Sequence, residues 1–347
     1  MTSDQYQRGF ASDNYAGIHP EVLAAIAEVN HGHAQAYGDD PVTARAVELF
    51  REHLGEHVEV FPVFNGTGAN VTGLQTMLRP WEAVICTQTA HIHVDECAAP
   101  ERVLGGKLID VPTPDGKLTP ELVRAQYIGK GDPHHVQPTV VSITQSTELG
   151  TLYSLDEVRA LADTAHELDM YLHIDGARIA NAAASLGCTL RETTTDAGAD
   201  VLSFGGTKNG LMAGEAVVFL NPAFATNMHF IRKQQMQLAS KMRFFSAQFV
   251  ALLEGDLWLR NAQHANAMAQ QLAKAVMNAP GVTITRKVQA NAVFATLPPP
   301  LIPELQAAYP FYIWDQSISE VRWMCSWDTT EDDVEQFGKL LHTVSSR

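Results

Sequence analysis

Long apolar runs are missing from this chain of 347 residues. No stretch approaches the roughly 18 uninterrupted apolar residues that a membrane-crossing helix needs, so no membrane partner is expected. Met1 to Arg8 is polar and lacks the apolar core of a secretory signal, which points to the cytoplasm. Cysteine is scarce: Cys86, Cys97, Cys188 and Cys325 lie far apart and form no CxxC pair. Neither a zinc knuckle nor a disulfide framework is signalled, and mostly buried free thiols are expected. Cationic residues are also few, with 24 Lys and Arg against 39 Asp and Glu and a formal charge of −15. That balance argues against a general nucleic-acid binder. It also makes any local gathering of Arg and Lys informative, because an acidic chain that binds an anion must place its cations deliberately. Internal repeats and low-complexity tracts are absent.

What is present is an alternation of short apolar runs with helical patterns, which predicts βαβ units and a mostly parallel sheet. Strands are expected at Val58 to Phe64, Ala83 to Thr87, Thr139 to Thr144, Tyr171 to Asp175, Val201 to Phe204 and Ala216 to Leu220. Helices are expected at Pro20 to Asn30, at Pro41 to Leu54 with Gly55 as a stop, and from the capping box Ser154-Leu155-Asp156-Glu157 to Asp169. Another spans Ala177 to Leu186. After about Pro222 a long, mostly helical stretch runs to Asn278, followed by strands near Val282, Ala292 and Val321 and a last helix after Thr330. The length suits two domains, a large α/β unit and a smaller α+β unit.

Four motifs carry chemistry. Lys208 sits in Ser203-Phe204-Gly205-Gly206-Thr207-Lys208-Asn209-Gly210, between two apolar strands. Most lysines lie on solvated faces, but this one is placed near the sheet, and a desolvated lysine has a lowered pKa and becomes a Schiff-base nucleophile. Asp175 ends a buried strand, the edge where α/β ligands bind. A lone Asp there is more often a helix cap. However, the spacing 208 − 175 = 33 residues equals about one strand-helix-strand excursion, and a carboxylate facing a pyridine nitrogen would keep that nitrogen protonated. Gly66-Thr67-Gly68 opens a helix after a strand and suits a phosphate, although such a turn can be only a turn. His91 and His93 lack a third ligand at zinc spacing, so His91 reads as a flat ring over a cofactor, or as an ordinary polar loop histidine, rather than as a metal ligand, and no metal site is expected.

Together these stretches resemble the threonine aldolase family of fold-type-I pyridoxal-phosphate (PLP) enzymes, especially its low-specificity bacterial branch. The resemblance runs over nearly the whole chain, through Phe10-Ala11-Ser12-Asp13-Asn14-Tyr15, Ala36-Tyr37-Gly38-Asp39-Asp40, Phe64-Asn65-Gly66-Thr67, Thr89-Ala90-His91, Asp175-Gly176-Ala177-Arg178, the Lys208 motif, Lys241 to Ser246, and Arg322 to Asp328. It implies an aminotransferase-like fold, with residues 1–240 forming an N-terminal segment and a large PLP-binding domain, and residues 241–347 a helical region and a small α+β domain. Lys208 would hold PLP, Asp175 would pair with its ring nitrogen, His91 would stack on the ring, and Gly66 and Thr67 would bind its phosphate. Arg178 and Arg322, with Ser12, would hold the substrate carboxylate or the cofactor's phenolic oxygen. From the residues alone, Arg322 is a cation in an apolar strand, costly unless it meets an anion, or else an edge-strand residue. Tyr37 and Arg243 would approach the site across a subunit interface, in a homo-oligomer expected to be a tetramer. A second site histidine is implied at His134 or His135, and His135 is taken here. Asn14 stands where some relatives carry threonine, which bears on stereospecificity.

The implied reaction is retro-aldol cleavage of L-threonine or L-allo-threonine to glycine and acetaldehyde, with His91 or His135 as base. The alternatives are another PLP lyase of the same fold, β-eliminating or acting on phenylserines, and a non-catalytic PLP or amino-acid sensor.

Overall fold

The computed structural model describes residues 8–347, and the polar stretch before Arg8 lies outside them. Seven strands form the main sheet: β1 (Glu59–Val63), β2 (Glu82–Thr87), β3 (Lys107–Val111), β4 (Gln137–Thr144), β5 (Tyr171–Gly176), β6 (Val201–Gly205) and β7 (Glu215–Phe219), in the order β1-β7-β6-β5-β4-β2-β3. Neighbours from β6 to β3 pair in parallel; β7 alone runs against both β6 and β1. Every residue of β6 and β7 is buried, as expected for central strands covered on both faces. A second, four-stranded sheet holds β8 (Thr283–Ile284), β9 (Ala292–Thr296), β10 (Tyr312–Asp315) and β11 (Glu320–Met324), all antiparallel.

The expected strands of the main sheet appear, and β3 and β10 are additions. Both are short edge strands with exposed positions, Lys107 and Asp110 in β3 and Tyr312 and Ile313 in β10, so neither shows the apolar run that marks a central strand. Local signals set the helix ends as the sequence implied. Asp40 caps Pro41–Leu54 by accepting from the Thr43 N–H at 2.9 Å, and Gly55, at φ 123°, takes a backbone conformation that other residues avoid. The capping box of Leu155–Glu167 is complete, with Ser154 N donating to Glu157 at 2.7 Å and Glu157 N donating to Ser154 Oγ at 3.2 Å.

The helical stretch after Pro222 divides into Met228–Gln234, Met242–Leu253 and Leu257–Val276. Gly255, left-handed at φ 74°, breaks the last two apart. Expectation began the second unit at 241. In the packing, Phe249, Leu252, Trp258 and Ala262 belong to the core under the large sheet, and Met268, Leu272 and Val276 to the core of the small one. The 20-residue helix Leu257–Val276 therefore ties the two cores together. Phe10 also joins the small-sheet core, and its backbone bonds Pro310 and Met324. The N-terminal segment thus packs against both units, through Phe10 on the small one and through Asp13 and His19 on the large one. No described helix is long and apolar enough to cross a membrane.

Candidate active site

Parallel strands leave their C-terminal ends, and the turns that follow them, along one edge of the sheet. Here that edge borders a cavity of about 350 Å³, reached by Lys208, Asp175, His91, Asn14, Gly66 and Thr67. Lys208 lies on the short turn Thr207–Asn209 between β6 and β7. Gly205 and Gly206 bring the chain against its neighbours: a Cβ on Gly205 would collide with the Ala177 carbonyl, and one on Gly206 with the Leu211 side chain. Burial, then the nearby Arg178, push the Lys208 amine below its ordinary value. It makes no hydrogen bond or ion pair among the described residues.

Asp175, at the end of β5, caps the next turn through the Ala177 N–H at 3.0 Å while its other oxygen accepts from Asn70 Nδ2 at 2.8 Å. The N-cap position of the following helix Ile179–Leu186 is Arg178 rather than Asp175, whose carboxylate closes the turn before it and lines the cavity. Gly66 and Thr67 open the helix Gly66–Met77, whose cap Asn65 takes the Gly68 N–H at 2.7 Å. The N–H groups of Gly66 and Thr67 find no acceptor among the described residues, and nothing stands within 4 Å of where a Gly66 Cβ would be. That end of the cavity is open and suited to an anion.

His91 starts a short helix after β2. Its Nδ1 meets Glu96 Oε1 at 2.9 Å, and its backbone N–H donates to Glu148 Oε1 at 2.8 Å. The hydrogen bond to Glu96 raises its pKa, against the opposing effect of burial and with help from Asp175. Two further acids are pushed up to about 7 by burial: Glu148, assisted by repulsion from Asp175, and Glu215, whose Oε2 accepts from the Gly206 N–H at 2.6 Å.

The two arginines differ from each other. Arg178 already donates from Nε and Nη2 to both oxygens of buried Asp13, at 2.6 and 2.8 Å. Burial alone would raise the Asp13 carboxyl, but Arg178 overrides it and holds it low. Asp13 also accepts from Asn291 Nδ2 at 3.1 Å. The Nε–Nη2 side of Arg178 is therefore occupied, which leaves Nη1 and the second N–H of Nη2 for an incoming anion. Arg322 has no such partner. Its guanidinium stacks over Trp314 at 4.7 Å, its Nε is buried and unbonded, and burial followed by Arg178 lowers its pKa to about 10. Ser12 Oγ accepts from the Asn14 N–H at 3.2 Å and caps the turn Asp13–Tyr15.

Three expected residues are not brought to the cavity of their own chain. His135, half exposed beside Asp132, precedes β4 at Gln137 and so stands at the N-terminal edge of the sheet, opposite Lys208, with His134 next to it. Tyr37 and Arg243 lie on a separate exposed face. Tyr37 N donates to Ser240 O at 2.9 Å, its ring faces Lys233 at 5.1 Å, and Arg243 lines a different hollow with His33 and Gln35. Conversely, the sequence reading passed over Asp13, Asn70 and Glu96. Asp13 and Asn70 stand inside or beside quoted motifs, and Glu96 follows His91 by five residues, but none advertises its partner.

The pattern of the beta-eliminating lyase family matches residues 9–298. A low-specificity L-threonine aldolase of a Pseudomonas species (strain NCIMB 10558) is 47% identical over 99% of both chains. The chain belongs to the threonine aldolases of the beta-eliminating lyase family. The Pseudomonas aeruginosa low-specificity L-threonine aldolase is likewise 47% identical, over 96% of this chain and 97% of that one. Among solved structures, a Leishmania major threonine aldolase superposes with a TM-score of 0.92 at 31% identity, covering 98% of this chain and 100% of the other. The fold is thus that of the fold-type-I PLP enzymes, and this threonine aldolase relative is a lyase by family.

Proposed function

We propose that this chain is a cytoplasmic PLP-dependent lyase that cleaves L-threonine and L-allo-threonine to glycine and acetaldehyde. The observation that carries the reading is the cavity. An unpartnered buried amine, a carboxylate at a strand end and an open helix N-terminus converge on it, with the ring of His91 at its wall. These residues fit PLP. Lys208 would hold it covalently, Asp175 would sit at its ring nitrogen, and Gly66 and Thr67 would take its phosphate. When bound, PLP supplies an electron sink for the bond broken at Cα.

The chain's own residues do the rest. Arg322, the guanidinium without a carboxylate partner, receives the substrate carboxylate, aided by the free Nη1 of Arg178. Glu96 draws the imidazole proton to Nδ1, which leaves Nε2 of neutral His91 as an acceptor toward the cavity. That nitrogen takes the β-hydroxyl proton as the Cα–Cβ bond breaks and acetaldehyde leaves, and a proton returned to Cα completes glycine. A second copy is proposed to cover the face around Tyr37 and Arg243, where Phe230 and Met236 also stand exposed, giving a homo-oligomer. The test is purified protein with each threonine stereoisomer, following acetaldehyde, glycine, 2-oxobutyrate and ammonia. Glycine and acetaldehyde in equal amounts from an L isomer support the reading. Dominant 2-oxobutyrate and ammonia would replace it with β-elimination.

A further inference from the structure

Asn70 is 2% exposed, and its amide stands between two acids. Nδ2 donates to Asp175 Oδ2 at 2.8 Å and to Glu96 Oε1 at 2.8 Å. The same Glu96 oxygen receives His91 Nδ1 at 2.9 Å. The orientation of the amide is fixed by chemistry, because turning it over would press Oδ1 against two carboxylates. An unbroken line of hydrogen bonds therefore runs His91, Glu96, Asn70, Asp175, linking the ring at the cavity wall to the carboxylate at the strand end.

We infer that Asn70 is a positioning residue that couples the protonation of His91 to Asp175 through Glu96. The Glu96 side chain is wholly buried, and its Oε2 has no partner. Both of its donors, Asn70 and His91, converge on Oε1. A buried carboxylate oxygen keeps its place only where donors hold it. With two donors, Glu96 Oε1 is fixed on the His91 Nδ1–H. Without Asn70, His91 is the one donor left among the described residues, and the carboxylate is free to turn. His91 then loses the well-placed hydrogen bond that raises its pKa. The other groups acting on His91 are Asp175, which favours its charged form, and Lys208, which opposes it. Glu148 meets its backbone N–H.

The sign of the effect follows. Removing the Asn70 amide should lower the midpoint at which His91 gains its proton, by about one pH unit, the scale of one hydrogen bond to a charged group. Glu96→Gln removes the anion itself and should lower it further. The two changes share one route, so Asn70→Ala added to Glu96→Gln should move the midpoint no more than Glu96→Gln alone.

This inference rests on the proposed role of His91, but its test is independent of turnover. Full-length chain carrying ¹³Cε1-histidine is titrated by NMR without cofactor, with the His91 resonance assigned by its loss in His91→Asn. The holoenzyme's kcat is followed against pH in parallel, and the acid limb should move down with the NMR midpoint. An unchanged His91 midpoint in a folded Asn70→Ala or Asn70→Leu chain would overturn the coupling, as would additive shifts in the double variant. Where neither Asn70 variant folds, Glu96→Gln decides: an unmoved midpoint ends the proposal. A protein that lacks aldolase activity but shows the NMR shift keeps the relay and loses only the reaction assigned to it.

Discussion

In the core of the small sheet, the Phe337 ring meets Phe10 at 5.1 Å, Trp323 at 5.2 Å and Tyr309 at 5.4 Å, all between tilted and edge-on. Such contacts add their energies, and among the described residues the cluster leaves one buried polar group, the Trp323 Nε1–H, without an acceptor. At the C-terminal edge of the large sheet the interior is of another kind. Glu96, Glu148 and Asn70 each bury an acceptor that no donor reaches among the described residues, and Lys208 holds an amine that pairs with none of them. One region is arranged for stability. The other buries polar groups without partners beside a cavity that Lys208 lines, the usual cost of a site built to act.

The sharpest way to break that comparison is to remove one group from each side. Lys208→Ala should reduce turnover to background, by roughly 10⁵–10⁶-fold, the scale of losing a covalent nucleophile. Its urea midpoint should stay at or above wild type, because a desolvated amine has been removed. A variant that unfolded readily, or that kept turnover, would erase the contrast. Phe337→Ala should do the reverse. It should cost about 3–5 kcal/mol of unfolding free energy for an aromatic ring lost from a packed core, read by urea denaturation, while kcat per folded molecule stays near wild type.

The smallest effect sharpens the comparison through pH. The folded chain holds the Glu215 proton more tightly than the unfolded one, its pKa being about 7 against an ordinary 4.5. Stability from that proton is therefore full below pH 4.5 and is lost as pH rises through 7. Glu215→Gln still offers the Gly206 N–H an acceptor and never ionises. Its advantage over wild type should grow from nothing near pH 4 to at most about 3 kcal/mol near pH 8.5. Urea midpoints at both pH values measure it, and a difference independent of pH would mean that Glu215 is not an acid kept neutral by burial.

Much of this was legible in the residues because the signals are local. A lysine among glycines after an apolar strand, an aspartate ending another, and Gly66-Thr67 opening a helix each state their place in the fold within a few positions. Their meeting follows from parallel strands having common ends. What escaped is set by partners distant in sequence. Nothing near Arg178 shows that Asp13, 165 residues earlier, already fills its fork, and nothing near Asn70 shows that Asp175, 105 residues later, will take its amide. For His135 the situation is the opposite. The family pattern fixed its neighbourhood in sequence, but a residue before β4 stands at the sheet edge facing away from the cavity of its own chain. Strands β3 and β10 lie at edges, where half the residues face solvent and the apolar signal fades.

Asp13 has a consequence in the order of synthesis. It leaves the ribosome before both of its partners, Arg178, 165 positions on, and Asn291, 278 positions on. At roughly 5–20 residues per second, Asn291 appears on the order of tens of seconds after Asp13. Over that interval the large sheet can form and Asp13 can already bond Arg178, while the Asn291 bond and the Phe10 contacts with Pro310 and Met324 wait for the small domain to be made. Anchoring of the N-terminal strap is then a late event, and chains truncated before Asn291 should hold it less firmly.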